Sequence, residues 1–381
     1  MVIKILAINE IHNLDCLEGL KQLDNNSVHC CVTSPPYWGL RDYGVEGQIA
    51  LEDTPEEYVE NLVAILREVK RVLRDDGTLW LNLGDSYAGS WGSMSHDLKG
   101  KAKRAGTNAR PPTSYKQQSL KPKDLVGIPW MVAFALRADG WYLRQDIIWH
   151  KPNAMPESVK DRCTKAHEYI FLFAKSEKYY FDANAIREEN KDKYNGKRGT
   201  TKTRKKMQSA MRDMSDKDQM QKYSTQGRNK RTVWTIPTKP FKEAHFAVFP
   251  PDLIKPCILA GTSPRACEIC GAPWKRVVKV ESGQGEGKPY DSKRPDGLVF
   301  RGRNRPSKRT ELGWYPTCSC KNEGTGRCIV LDPFMGSGTT GMVAAMHQRN
   351  FIGFELNQEY CEMAEKRIEP YLMQQPIFEL L

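Results

Sequence analysis

The sequence predicts an α/β fold built on a mostly parallel, doubly wound sheet, and three observations lead there. Short apolar runs, Val28-His29-Cys30-Cys31-Val32 and Ile329-Val330-Leu331, end at turn residues, as buried strands do. A long amphipathic helix from Thr54, ended by Gly77, is followed by an apolar strand from Thr78 to Leu83. A glycine turn, Gly336-Ser337-Gly338, joins a strand to a helix near the C-terminus.

Taken in order, Met1 to Leu6 reads as a strand and not as a signal peptide. Residues 11–24 hold a short amphipathic helix around Asp15-Cys16-Leu17-Glu18-Gly19-Leu20, with Asp15 placed to cap it. After Val28–Val32 comes Thr33-Ser34-Pro35-Pro36-Tyr37-Trp38. Two prolines supply no N–H and fix φ, so the chain leaves the sheet at Ser34. A hydroxyl, a prolyl carbonyl and an aromatic ring therefore meet at a strand's C-terminal end, where open α/β sheets bind ligands. Ser34 and the Pro35 carbonyl are acceptors and Tyr37 is a flat face. Such a set suits a planar ligand that carries an exocyclic amine; a bare proline turn is the other reading.

Thr54-Pro55-Glu56-Glu57 has an N-cap, a first-turn proline and a capping-box acid. Leu62, Ile65, Leu66, Val69, Val72 and Leu73 follow at helical spacing, Gly77 is expected to stop the helix, and Thr78 to Leu83 reads as a strand. Residues 84–123 read as a long irregular loop, with Lys101, Lys103 and Arg104 among its cations and no acid between 98 and 123. Pro129 to Ala138 is a helix, Trp141 to His150 and His167 to Ala174 are strands, and Tyr179-Tyr180-Phe181 extends this region. Hydrophobic residues then thin out, and Arg198, Arg204, Lys205 and Lys206 belong to a basic stretch that fits either a phosphate-gripping region or a linker. Pro251 to Ala260 is helical, which makes Cys257 a packed thiol.

Residues 262–327 form an insertion with Cys267-Glu268-Ile269-Cys270 at one end and Cys318-Ser319-Cys320 at the other. Four thiolates from two tight pairs suit a structural, tetrahedral Zn²⁺, with Cys328 as a substitute ligand and unmetallated thiols as the alternative. The strand Ile329 to Asp332 leads into Pro333-Phe334 and the glycine turn, with the following helix running from Thr340 to about His347. No lysine follows the glycines, so the turn is not a phosphate loop of the P-loop kind. Phe351 to Glu355 is a strand ending in an acid, where such folds hold ribose hydroxyls.

The chain has 381 residues, 58 Lys and Arg against 46 Asp and Glu, and a net charge of +12, which favours a polyanionic partner. It contains no apolar run long enough to span a bilayer. Eleven cysteines without a secretory signal point to thiols or metal ligation in a reducing, cytoplasmic setting.

Thr33 to Trp38 and Asp332 to Gly341 together resemble the two signature motifs of the amino-group DNA methyltransferases, in the order of the β class. The resemblance implies a Rossmann-like fold that uses S-adenosylmethionine and flips its target base out of double-stranded DNA. It implies catalytic roles for Ser34, Pro35, Pro36 and Tyr37. It implies cofactor contacts from Asp15, Thr33, Asp332, Pro333, Phe334, Gly336, Ser337, Gly338, Thr339 and Glu355, and a place beside the target base for the loop containing Trp149. Trp149 reads equally as a core residue. Serine at position 34 is similar to the N4-cytosine subgroup, with N6-adenine second. The expected division is 1–183 for the catalytic half, 184–245 for target recognition and 246–381 for the cofactor half; Lys101, Lys103, Arg104, Arg198, Arg204, Lys205 and Lys206 are the expected DNA contacts.

Overall fold

A computed structural model of the chain describes residues 6–40, 42–88, 95–96, 102–103, 120–188, 228–239, 248–281, 308–320 and 326–373. Two compact units emerge. The larger comprises Met1–Ala185, Arg231–Trp274 and Pro316–Leu381, and the smaller comprises Ile186–Lys230 and Lys275–Tyr315.

The larger unit begins with β1 (Glu10–Asn13), α1 (Cys16–Lys21) and β2 (Val28–Thr33). Then come α2 (Pro55–Val72), β3 (Leu73–Leu83) and the two-residue strands β4 (Ser95–His96) and β5 (Ala102–Lys103). The helix α3 (Ile128–Ala138) precedes β6 (Tyr142–His150), β7 (His167–Ala174) and β8 (Val233–Thr235). After α4 (Pro251–Gly261) the chain enters the smaller unit, where β9 (Lys275–Glu281) and β10 (Lys308–Tyr315) form an antiparallel hairpin. It returns as β11 (Ile329–Asp332), α5 (Thr339–Met346), β12 (Asn350–Glu355) and α6 (Gln358–Leu372).

The large sheet has the order β1-β12-β11-β2-β3-β7-β6-β8. Only β7 runs against the rest among its described strands. Helices α1, α2 and α3 pack in one series and α4, α5 and α6 in another, the two-layer cover that buried parallel strands need. Every residue of β2 is buried, although the strand contains a histidine and a threonine. Among the described residues no helix is long and apolar enough to cross a membrane.

Some boundaries differ from expectation. The helix begins as its cap dictates, with the Glu57 N–H donating to Thr54 Oγ1 at 3.2 Å, but it ends at Val72 and not at Gly77. Leu73 already lies in β3, whose pairing with β2 shifts register between Val28 and Cys30. Gly77 sits in that irregular stretch: a Cβ there would lie 2.9 Å from the Arg74 carbonyl and 3.2 Å from that of His29. Met1 to Ile5 fall outside the described residues, and the first described strand is Glu10–Asn13, within a stretch expected to lead into a helix. Tyr179 to Phe181 add no strand; Phe181 instead stacks on Trp80. Cys257 is buried inside α4, as expected.

Candidate active site

The C-terminal ends of β2, β3 and β11 converge because these strands are parallel neighbours. Where β2 stops, the proline turn is fixed from two directions. Tyr58 of α2 donates to the Pro36 carbonyl at 2.8 Å, and the buried Trp38 donates from Nε1 to the Glu52 carbonyl at 2.9 Å. Among the described residues Ser34 Oγ keeps only long contacts, 3.5 Å to the Tyr37 hydroxyl and 3.5 Å to Asn82 Nδ2. Both lie at the outer limit of hydrogen bonding, so the hydroxyl remains able to engage a ligand.

One carboxylate organises the wall beside Ser34. Glu168 Oε2 accepts from the Tyr37 hydroxyl at 2.9 Å and from Asn82 Nδ2 at 3.1 Å, while Oε1 pairs with Lys151. Asn82 Nδ2 also donates to the Tyr37 oxygen. Burial, reinforced by the Glu168 charge, pushes the Tyr37 phenol well above its ordinary range, so it stays protonated. These donations fix the Asn82 amide, and its Oδ1 is buried with no hydrogen-bond partner among the described residues. An unmet buried acceptor costs about 1–3 kcal/mol. Trp149 is buried and donates to the Ile236 carbonyl at 2.8 Å, yet it also borders the cavity, with Lys151 Nζ 4.2 Å from its ring centroid.

The glycine turn forms the other wall. Gly336 has φ +52°, and a Cβ there would meet nothing closer than the Phe334 carbonyl at 4.0 Å, so the backbone presents an open face. Its N–H donates to Glu355 Oε2 at 2.8 Å, and the Asn357 N–H donates to Oε1 at 2.9 Å. Glu355 is thereby aimed from β12 with lone pairs to spare, although burial raises its carboxyl above the usual range. Gly338 packs tightly instead: φ is +78°, and a Cβ would fall 2.6 Å from that of Ala364.

Asp332 joins the two walls from behind. It is buried and accepts from Thr33 Oγ1 at 2.6 Å, Thr340 Oγ1 at 2.6 Å and the Phe334 N–H at 3.1 Å, which ties β2 and α5 to the end of β11. Burial pushes its carboxyl up from 3.8 to about 6, against the opposing pull of those hydrogen bonds. A raised carboxyl value means that the native state holds the proton more tightly than the unfolded chain. Stability from this group is therefore fullest at low pH and falls as pH rises from about 4 through about 6. Asp332→Asn is expected to remove that fall. Urea unfolding at pH 4.5 and 7.5 should show a wild-type loss larger than the variant's by about 2 kcal/mol.

Between the walls lies a cavity of about 690 Å³, within the range for a ligand site of ordinary size. Ser34, Pro35, Pro36 and Tyr37 line it, and so do Asp15, Pro333, Phe334, Gly336, Ser337, Thr339 and Glu355. Thr33, Asp332 and Gly338, expected as cofactor contacts, are not on its lining; their hydrogen bonds and close packing place them as braces behind it. Asp15 does two jobs, bordering the cavity while its carboxylate caps α1 through the N–H groups of Leu17 and Glu18. The side chains of Lys101, Lys103, Arg104, Arg198, Arg204, Lys205 and Lys206 lie outside the described residues.

Asn82 and Glu168 escaped the sequence reading. One signal was present: Asn82 is a lone amide in an otherwise apolar run from Leu79 to Leu83. Glu168 gave none, because it opens a strand, and only the antiparallel course of β7 brings a strand's beginning to this end of the sheet.

The sheet order and the cavity bring the proline turn, the glycine turn and the acidic strand end together, the arrangement that the two sequence motifs imply. The chain belongs to the N6/N4 DNA methylase family, whose model, described as DNA methylase, matches residues 28–267 and 318–366. Among curated relatives, the Type II methyltransferase M.Cfr9I of Citrobacter freundii is 42% identical over 356 residues, covering 93% of this chain and 86% of that protein. The Type II methyltransferase M.SmaI of Serratia marcescens is 40% identical over 354 residues, covering 93% and 88%. Among solved structures, PvuII DNA methyltransferase (cytosine-N4-specific) superposes with a TM-score of 0.50 at 16% identity, covering 97% of this chain and 89% of that one; it is a likeness of fold.

Proposed function

We propose that this chain methylates the exocyclic N4 of a flipped cytosine at a specific site in double-stranded DNA, using S-adenosylmethionine. The observation that carries the reading is the Ser34 hydroxyl, which makes no short contact among the described residues and stands on the cavity that Glu355 and the glycine turn also border. The cofactor end fits: the Glu355 carboxylate has lone pairs for ribose hydroxyls, Gly336 leaves room for close approach, and Phe334 offers an apolar face. When bound there, S-adenosylmethionine supplies a methyl group already activated on a sulfonium.

The protein's own work is to position and tune the amine. The lone pair of an aromatic amine is delocalised into its ring, which makes it a poor nucleophile. Acceptors at Ser34 and the Pro35 carbonyl draw on its two N–H groups, localise that lone pair and stabilise positive charge as it develops on nitrogen, and the methylated amine then loses its surplus proton to solvent. Tyr37, held by Glu168 and Asn82, supplies a surface against which the base can stack. A paired base cannot reach the cavity, so the target nucleotide leaves the helix first.

Relatives at 40–42% identity over more than nine-tenths of the chain carry the name Type II methyltransferase, which supports site-specific modification alongside a restriction system. Serine at position 34 supports cytosine. The net charge of +12 supports a polyanionic substrate. The test is mass spectrometry of nucleosides from DNA treated with enzyme and cofactor. N4-methyldeoxycytidine is expected; N6-methyldeoxyadenosine in its place overturns the choice of base, and unmodified DNA overturns the activity.

A further inference from the structure

The family match breaks off at Cys267 and resumes at Cys318, so the 50 residues from 268 to 317 are additional to the family fold. The chain enters and leaves this insertion through two cysteine pairs. The Sγ atoms of Cys267, Cys270, Cys318 and Cys320 all lie within 4.8 Å of one another. Tetrahedral zinc at about 2.3 Å from each sulfur needs sulfurs roughly 3.8 Å apart, a small contraction of this cluster.

The first pair sits on a tight knuckle. The Gly271 N–H donates to the Cys267 carbonyl at 2.8 Å, the Cys267 N–H donates to that of Ala272 at 2.9 Å, and Gly271 takes φ +68°, which suits glycine. The second pair is tied to the first by Thr317, whose hydroxyl donates to the Pro273 carbonyl at 2.8 Å.

The knuckle is also gripped by the sheet. Arg74 Nη1, in the second residue of β3, donates to the Cys270 carbonyl at 2.8 Å and is steadied by Asp76 at 3.0 Å. His29, second in β2, accepts the Ile329 N–H on Nδ1 at 3.0 Å, which leaves Nε2 protonated to donate to the Gly271 carbonyl at 2.7 Å. His29, Arg74 and Ile329 all lie at the N-terminal ends of parallel strands, the edge opposite the cavity. Cys328 is buried apart from the cluster, its sulfur 4.0 Å from the Arg265 carbonyl, so it is not the substitute ligand that its position in the sequence allowed.

We propose that Cys267, Cys270, Cys318 and Cys320 hold one structural zinc ion that pins the two ends of the insertion together against the edge of the sheet away from the active site. Four protein ligands leave no open position, so the ion does no chemistry on a substrate. A zinc-pinned entry lets a family fold carry an extra segment without loosening β2 and β3, the strands that deliver Ser34 and Asn82 at their far ends.

Elemental analysis of the full chain, purified without added metal or chelator, is expected to give one zinc per chain. Growth on cobalt is expected to give the intense visible and thiolate charge-transfer bands of tetrahedral sulfur ligation. Cys270→Ser with Cys320→Ser should carry at least tenfold less zinc, while Cys328→Ser keeps its full complement. Less than one-tenth of a zinc in soluble, cooperatively melting wild-type protein overturns the proposal, as does stoichiometric iron or loss of metal from Cys328→Ser. Should the double variant fail to fold, wild-type stoichiometry and the cobalt spectrum still decide. None of these readouts depends on methyl transfer, so they stand or fall separately from the proposed activity.

Discussion

Ser34→Ala is expected to slow methyl transfer about 10²- to 10³-fold while leaving cofactor affinity within about threefold. As the new nitrogen–carbon bond forms, the amine turns from a delocalised donor into a tetrahedral, positively charged centre. Its N–H groups become stronger donors at that moment, so an acceptor acts more on the transition state than on the bound base. Ser34 Oγ is fitted to this because the described residues make only 3.5 Å contacts with it. The loss should therefore fall on kcat more than on KM for DNA. Single-turnover rates at saturating DNA, with calorimetry for the cofactor, separate the two. A wild-type rate in Ser34→Ala would remove the serine from the reaction.

Asn82 differs in a way that a kinetic comparison exposes. Its Oδ1 is sealed from the cavity, and its Nδ2 is part of the frame around Tyr37 and Glu168. Truncating it loosens the aromatic face, so its effect should not add to that of Tyr37 substitutions. Glu168 takes three donors, from Tyr37, Asn82 and Lys151, so its substitution should loosen the same frame.

How far the sequence revealed this site follows from where local signals exist. The proline turn and the glycine turn are legible because proline and glycine impose backbone geometry wherever they stand. The cap of α2 is legible because Thr54 and Glu57 act within a single turn. The cavity's third wall is not, because it depends on sheet order. Glu168 reaches Tyr37 across 131 positions of sequence, and only after β7 inserts antiparallel beside β3. β1 was missed for a related reason: Glu10–Asn13 is a four-residue edge strand with no apolar alternation of its own, and it forms by pairing with β12. The cysteine pairs were readable from spacing alone, but the exclusion of Cys328 needed the burial of its side chain against Arg265.

Gly84→Ala is expected to lower turnover about 10²-fold with the cofactor still bound at close to wild-type affinity. Gly84 follows β3 directly, and a Cβ there would sit 2.4 Å from Tyr37 Cε2 and 2.9 Å from Cδ2. The ring cannot slide away freely, because its hydroxyl is held by Glu168 at 2.9 Å and by Asn82. The methyl group must therefore tilt the ring or push the end of β3 aside, at a stability cost of about 1–3 kcal/mol. Either movement shifts the surface on which the target base is proposed to rest, while Gly336 and Glu355 keep their bond on the opposite wall. Tyr37→Phe makes the comparison sharp: it frees the ring from its tether but keeps the flat face, so a smaller loss, about tenfold, is expected. Adding Tyr37→Phe to Gly84→Ala should then recover part of the lost rate, since the untethered ring can yield to the new methyl group. Turnover in Gly84→Ala equal to wild type would show that the ring's position is immaterial to the reaction, and the base would have to stack elsewhere on the cavity wall.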